Sequence, residues 1–396
     1  MIQLFKNYPL FLRFWIATVA SQIASRMHSL ILIWLVYEWS NSAFIVGVTM
    51  IAASLPSVLI SPLAGSIADR HNKITLMYIA DFIRMITLLV FAYLYFEGIL
   101  DTTILIIGTI FISISSAFFN PASMSILPQL VKKEDITKAN ATGQISSSVS
   151  SILGPLFGSA MIASLGVTNA FLVAASLFLV SVIFLIGLKE ISSDIEKLEI
   201  SILNDIKNGF SLIKEYEIVS KMISKLVIIN FFFSSLVIVA PILADGNATS
   251  LAFFMSSLGV GMLFASLFLS SKIITMKPTL FLFLCLLIMG LAFVSLGLSN
   301  NFNIYIISMF VIGLALNSFN IITISIYQTS LPQKSLGKIM ALVAAVSISL
   351  QPISYGIMGV FIEIVGVTFV LVLSGLIVSI GGLQILKIKK LNEEKS

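Results

Sequence analysis

Apolar residues run along this chain in long blocks broken by short polar segments. Twelve blocks can be marked, at 11–37, 43–67, 74–96, 102–127, 138–164, 168–188, 221–243, 250–271, 278–298, 302–327, 338–363 and 367–386. Each comes close to the ~20 mostly apolar residues that an α-helix needs to cross the hydrocarbon core of a bilayer. One long polar stretch interrupts them, "KEISSDIEKLEISILNDIKNGFSLIKEYEIVS" at 189–220. Its charges are mixed and its periodicity is helical, which predicts a linker with one or two amphipathic helices. The chain thus divides into a six-span half at 1–188, the linker at 189–220, a six-span half at 221–386 and a tail at 387–396. The predicted fold class is an all-α membrane protein of twelve transmembrane helices.

Composition supports that solvent. Hydrophobic residues make up 58% of the chain and charged residues 10%, against about 25% charged in a soluble domain. Such an apolar surplus does not fit inside one soluble core. The N-terminal "MIQLFKNYPLFLRF" carries basic residues. The apolar run after it is too long for a cleavable signal and has no small-residue cleavage site, so the first helix is expected to be retained.

Charge then orients the spans. With both termini inside, the cytoplasmic segments hold Lys6, Arg70, Lys73, Lys132, Lys133, Lys138, the lysines from Lys189 to Lys225, Lys272, Lys277, Lys334, Lys338 and those from Lys387 to Lys395. The outer loops hold no Lys or Arg, and Glu38, Glu97, Asp101, Asp245 and Glu363 lie at or near outer helix ends. This is the positive-inside rule. It predicts a multi-pass protein of the cell inner (plasma) membrane and checks the span count, because one missed span would scramble the pattern. The net charge of +5 is explained by topology, and no basic block beside aromatics suggests nucleic acid. Of the arginines, Arg13, Arg26 and Arg84 fall inside spans.

The two halves resemble each other. "AFFNPASMSI" at 117–126 aligns with "NSFNIITISI" at 317–326, which sets Phe119 on Phe319 and Asn120 on Asn320, each 200 residues apart. The same offset relates Lys138 to Lys338 and "GVT" at 166–168 to "GVT" at 366–368. Two pseudo-repeated six-helix halves are the organisation of many secondary transporters, which bind substrate near the midplane at the repeat interface.

Enzyme chemistry finds little support. The single Cys285 excludes an intrachain disulfide and a thiolate cluster. The two histidines, His28 in a span and His71 in a loop, are too far apart for a metal site. No nucleophile elbow or phosphate loop is present. No cofactor or metal is expected.

Three stretches carry mechanism. "GSIADRHNK" at 65–73 resembles the loop 2–3 signature of the major facilitator superfamily, with Gly65, Ile67, Ala68, Asp69, Arg70 and Lys73 in register and Asn72 and Ile74 departing from it. Gly65 is expected to allow close helix approach, and Asp69 to pair with a helix N-terminus or an arginine. The resemblance makes this loop a conformational latch. Asp81 and Arg84 follow as i, i+3 neighbours, either extending the latch or forming an ion pair at headgroup level. "SSILGPLFGS" at 150–159 resembles the helix 5 signature of the superfamily's exporters through Gly154, Pro155 and Gly158. Proline bends the helix and the small residues permit tight packing.

With "SQ" at 21–22, "YEWSNSA" at 37–43 and "FFNPASMSILPQLV" at 118–131, the chain is similar to the macrolide-efflux and enterobactin-exporter branch of that superfamily. The resemblance implies a monomeric exporter of a small-molecule substrate, driven by protons and working by alternating access. A nutrient importer and a transport-inactive receptor or scaffold are the competing classes. The fourth span lacks the arginine that many proton antiporters of the superfamily carry there.

Polar residues inside spans face protein or water rather than lipid. Gln22, Asn120, Gln144, Asn230, Asn317, Asn320, Gln351 and Tyr355 are therefore candidates for the cavity. Serine stripes such as Ser113, Ser116 and Ser123 are expected to serve helix packing. Arg26 is the sharpest candidate, since a charge at the bilayer centre costs about 2.5–3.5 kcal/mol on insertion scales. It lies one turn after Gln22. His28 lies about 200° further round the helix, so the two cannot both face the cavity. Arg26 is assigned to it, with His28 as the reserve group for proton coupling.

Overall fold

The structure is a computed structural model that describes residues 2–188, 217–271, 276–330, 343 and 349–386. Among these the regular elements are helical: α1 (Ile2–Asn7), α2 (Pro9–Ser40), α3 (Ala43–Arg70), α4 (Lys73–Phe96), α5 (Thr102–Leu130), α6 (Ile136–Ile186), α7 (Glu217–Leu243), α8 (Ala248–Ser271), α9 (Pro278–Leu298), α10 (Phe302–Ser330), α11 (Gln351–Val365) and α12 (Val367–Ile385). Ten of them are long and apolar enough to cross a membrane, and α11 is a shorter apolar helix. The predicted linker up to residue 216, most of 331–348 and the tail lie outside the described residues. α7 begins at Glu217, inside the predicted linker.

Local chemistry sets the ends. Pro9 opens α2, where its missing N–H costs nothing. Asn41 closes it in the left-handed region, its N–H bonded to the Tyr37 carbonyl. Asn72 caps α4 by accepting from the N–H groups of Ile74 and Thr75, at 3.0 and 3.1 Å. The Asp101 carboxylate caps α5 through Ile104 N–H at 2.8 Å.

α6 is longer than one span because it holds two. Gly166 interrupts it at φ 83° and ψ 171°, a region open essentially to glycine alone. Gly366, 200 positions on, joins α11 to α12 at φ 82° and ψ 162°. The two "GVT" stretches thus make the same backbone corner, a structural trace of the repeat read in the sequence.

The chain forms two compact units. Unit 1 comprises Met1–Asn41, Thr49–Ile200 and Ala244–Ser256, and unit 2 comprises Ser42–Val48, Ser201–Leu243 and Ser257–Ser396. In unit 1, α2 packs along α6, and α4 packs on α5 and α6. In unit 2, α9 packs on α12 and α10, while α11 and α12 pack on α7. Backbones come close where glycines meet: a Cβ on Gly290 would lie 2.4 Å from the Gly375 carbonyl oxygen. The outward faces are apolar. Phe96, Leu298 and Ile364 are 75%, 68% and 74% exposed, which suits lipid rather than water as the surrounding medium.

Candidate functional site

Arg26 lies in α2 with its side chain exposed. Its backbone is held in a slot made by the first segment of α6. A Cβ on Gly154 would fall 2.3 Å from Arg26 Cβ, and one on Gly158 would meet Leu30 Cδ2 at 3.2 Å and Met27 Cα at 3.5 Å. Gly154 and Gly158 are one turn apart, and Pro155 beside them is buried. The exporter-type motif and the span 1 arginine, distant in sequence, are therefore one contact. On the same segment, the Ile152 carbonyl accepts from Ser256 Oγ of α8 at 3.0 Å.

His28 points elsewhere. It is 4% exposed and stacked on Phe91, with ring centroids 6.2 Å apart and planes at 18°. Its Nε2 has no hydrogen-bond partner. Gln22, one turn before Arg26, is half-buried with an unpartnered Oε1. Asn120 and Gln144 are exposed. Among the serines of α5, Ser113 Oγ accepts from Ser57 N–H of α3 at 3.1 Å, and Ser116 bonds back to the Ile112 carbonyl at 2.9 Å.

Asp81 and Arg84 lie together on α4. The i, i+3 pair expected from their spacing forms, and it is buried within the protein. Asp81 is 0% and Arg84 3% exposed, and they pair at 2.8 Å inside unit 1. Ser21 Oγ of α2 donates to Asp81 Oδ1 at 3.0 Å, and Ser181 Oγ of α6 donates to Oδ2 at 2.6 Å. Arg84 Nη1 also reaches Ser21 Oγ at 3.4 Å. The guanidinium lies over the Phe119 ring at 4.9 Å and the Phe178 ring at 5.7 Å, while its Nε has no partner. Burial follows from the face of α4: the pair shares it with Leu88 and Phe91, which are 0% and 1% exposed. Sequence reasoning missed Ser21, Ser181, Phe119 and Phe178 as partners. For Ser181 no local signal existed, since it lies 100 residues from Asp81.

The loop motif is described only in part. Among the described residues nothing lies within 4 Å of the place a Cβ on Gly65 would take. The side chains of Asp69 and Arg70 lie outside the described residues, and Lys73 is half-buried at the start of α4. Nearby, Tyr8 Oη donates to Asp135 Oδ2 at 2.9 Å and Lys138 Nζ to Oδ1 at 2.7 Å. These bonds, that of Lys138 foremost, hold the Asp135 carboxyl below its ordinary range. A cleft of about 510 Å³ beside them is lined by residues including Asn7, Asp135, Lys138 and Thr142, and Arg26 is not among them.

In unit 2, the half-buried Asn317 bonds to α8. Its Nδ2 donates to the Met262 carbonyl at 2.6 Å and to Ser266 Oγ at 2.8 Å, which pins α10 to α8. Asn230, Asn320, Gln351 and Tyr355 are half-buried. The Tyr355 carbonyl oxygen would sit 2.7 Å from a Cβ on Gly47, so α11 lies close against the start of α3. Ser354 hydrogen-bonds Ser234 of α7.

The family model described as transmembrane secretion effector matches residues 6–396. The chain belongs to that family. It is a membrane transporter of the major facilitator type. It is 21% identical to macrolide efflux protein A of Streptococcus pyogenes over 384 residues, covering 94% of this chain and 95% of the relative. It is 24% identical to the uncharacterized MFS-type transporter YvqJ of Bacillus subtilis, over 91% and 87% of the two chains. Its fold resembles that of the nucleoside transporter NupG, with a TM-score of 0.78 at 13% identity, covering 96% of this chain and all of that one.

Proposed function

We propose that this transporter is an exporter of a small amphipathic molecule, macrolide-like or siderophore-like, driven by protons through alternating access. The observation that carries the reading is Arg26: a mid-span arginine with an exposed side chain, its backbone fixed against the exporter-type glycines of α6. A cation kept at that depth needs water, a substrate or a partner to offset its insertion cost. On unit 1 it shares this role with Gln22 and Asn120. A neutral or anionic substrate fits a site whose fixed charge is positive. Similarity along nearly the whole length to macrolide efflux protein A supports the direction of transport. In the same reading the protein is a monomer of the plasma membrane with both termini in the cytoplasm. Gly65, Asp69, Arg70 and Lys73 form its cytoplasmic latch.

Replacing Arg26 with glutamine tests the site. Membrane abundance stays at the wild-type level while drug or siderophore export falls towards the empty-vector background. Undiminished export by that variant across a panel of antibiotics and siderophores overturns the assignment.

A further inference from the structure

We propose that Asp81, sealed inside unit 1, is the residue that carries the coupling proton. The inference rests on the reading of the protein as a proton-driven exporter and names the group that reading leaves open.

Proton coupling needs a group within the membrane that can exist with and without a proton. Among the described residues Asp81 is the only buried carboxylate, and Arg84 the only buried arginine or lysine. The groups around Asp81 can be named element by element. Its own helix supplies Arg84, α2 supplies Ser21, and α6 supplies Ser181. Further along the same faces, His28 of α2 stacks on Phe91 of α4, and α5 contributes the Phe119 ring over Arg84.

This arrangement accommodates either protonation state. With Asp81 ionised, two serine hydroxyls and Arg84 donate to it, as observed. A proton delivered by hydronium, which leaves water behind, forms an O–H bond on Oδ2, which lies 2.6 Å from Ser181 Oγ. A serine hydroxyl can accept as well as donate, so Ser181 turns to receive that proton. The ion pair then becomes a neutral acid beside a cation. Arg84 does not lose all support, because Nη1 retains Ser21 Oγ at 3.4 Å and the guanidinium retains two aromatic faces. Because Arg84 rests on Phe119 of α5 and Asp81 on Ser21 of α2 and Ser181 of α6, a change in the pair alters contacts among four helix segments at once.

Architecture alone does not require the pair. In unit 2 the corresponding crossing of third and sixth spans, α9 on α12, is made by Gly290 and Gly375 with no buried charge. A buried ion pair is often no more stabilising than apolar packing of similar volume.

The test uses full-length protein reconstituted in liposomes. Infrared difference spectra between acid and neutral buffer follow the C=O stretch of a protonated buried carboxyl. The proposal expects such a band in wild type and its loss in Asp81→Asn. It also expects the folded variant to lose gradient-driven export while still binding the exported compound. The double variant Asp81→Asn with Arg84→Gln leaves no unpaired charge, so it remains informative if the single variant fails to fold. A purely structural pair predicts that the folded double variant keeps gradient-driven export, and that result overturns the proposal. So does the absence of a titrating band that depends on Asp81. Failure of the wild type to export anything would instead remove the exporter reading, a separable outcome.

Discussion

At the residue scale, unit 1 directs its charged and titratable groups in two directions. Arg26 lies exposed, while His28, two residues later, is buried against Phe91. Gly154 decides the position of the arginine, because any side chain there collides with Arg26 Cβ. Gly154→Ala is therefore expected to destabilise the protein by about 1–3 kcal/mol, the usual range for overpacking, and to lower export along with it. Thermal unfolding in detergent and a transport assay on the same preparation check both effects. Much of this was legible in the sequence, since an arginine in an apolar span and a Gly-Pro-x-x-Gly motif both stand out. Their contact was not legible, because nothing in either stretch says which helices pair. The Asp81–Arg84 spacing could be read as a pair, but its depth could not. Burial depends on Ser21, Phe119, Phe178 and Ser181 arriving from three other helix segments.

At the element scale, the apolar blocks translated into helices because a backbone in lipid must satisfy its hydrogen bonds within the segment. The breaks between blocks were set by identifiable chemistry: Asn41 in the left-handed region, Asn72 and Asp101 as caps, and Gly166 and Gly366 as corners. The partners of the polar amides were not legible. Asn317 was a cavity candidate by cost of burial, and the sequence did not show that α8 offers its Nδ2 a carbonyl and a hydroxyl. The two glycine corners yield a paired prediction. Alanine at either 166 or 366 forces a side chain into a backbone region reserved for glycine, at a cost of about 1–3 kcal/mol each. Equal losses of thermal stability are expected, since the two φ/ψ pairs nearly coincide. A loss at one site and none at the other contradicts the repeat as a structural equivalence.

At the scale of the whole molecule, the distribution of lysine and arginine sets topology. Cys285 is the single cysteine and is buried, so Cys285→Ser gives a clean background for labelling. Cysteine placed at Asn41 is expected to react with a membrane-impermeant maleimide on intact cells, and cysteine at Asn72 only after permeabilisation. The reverse pattern contradicts the orientation. The central claim is export, and the most direct measurement is accumulation of radiolabelled macrolides and siderophores in an efflux-deficient host expressing the protein. Wild type is predicted to lower accumulation of at least one of these compounds, an uncoupler that collapses the proton gradient to restore it, and Arg26→Gln to match the empty vector. Unchanged accumulation of every compound, with the protein present in the membrane, would contradict the account.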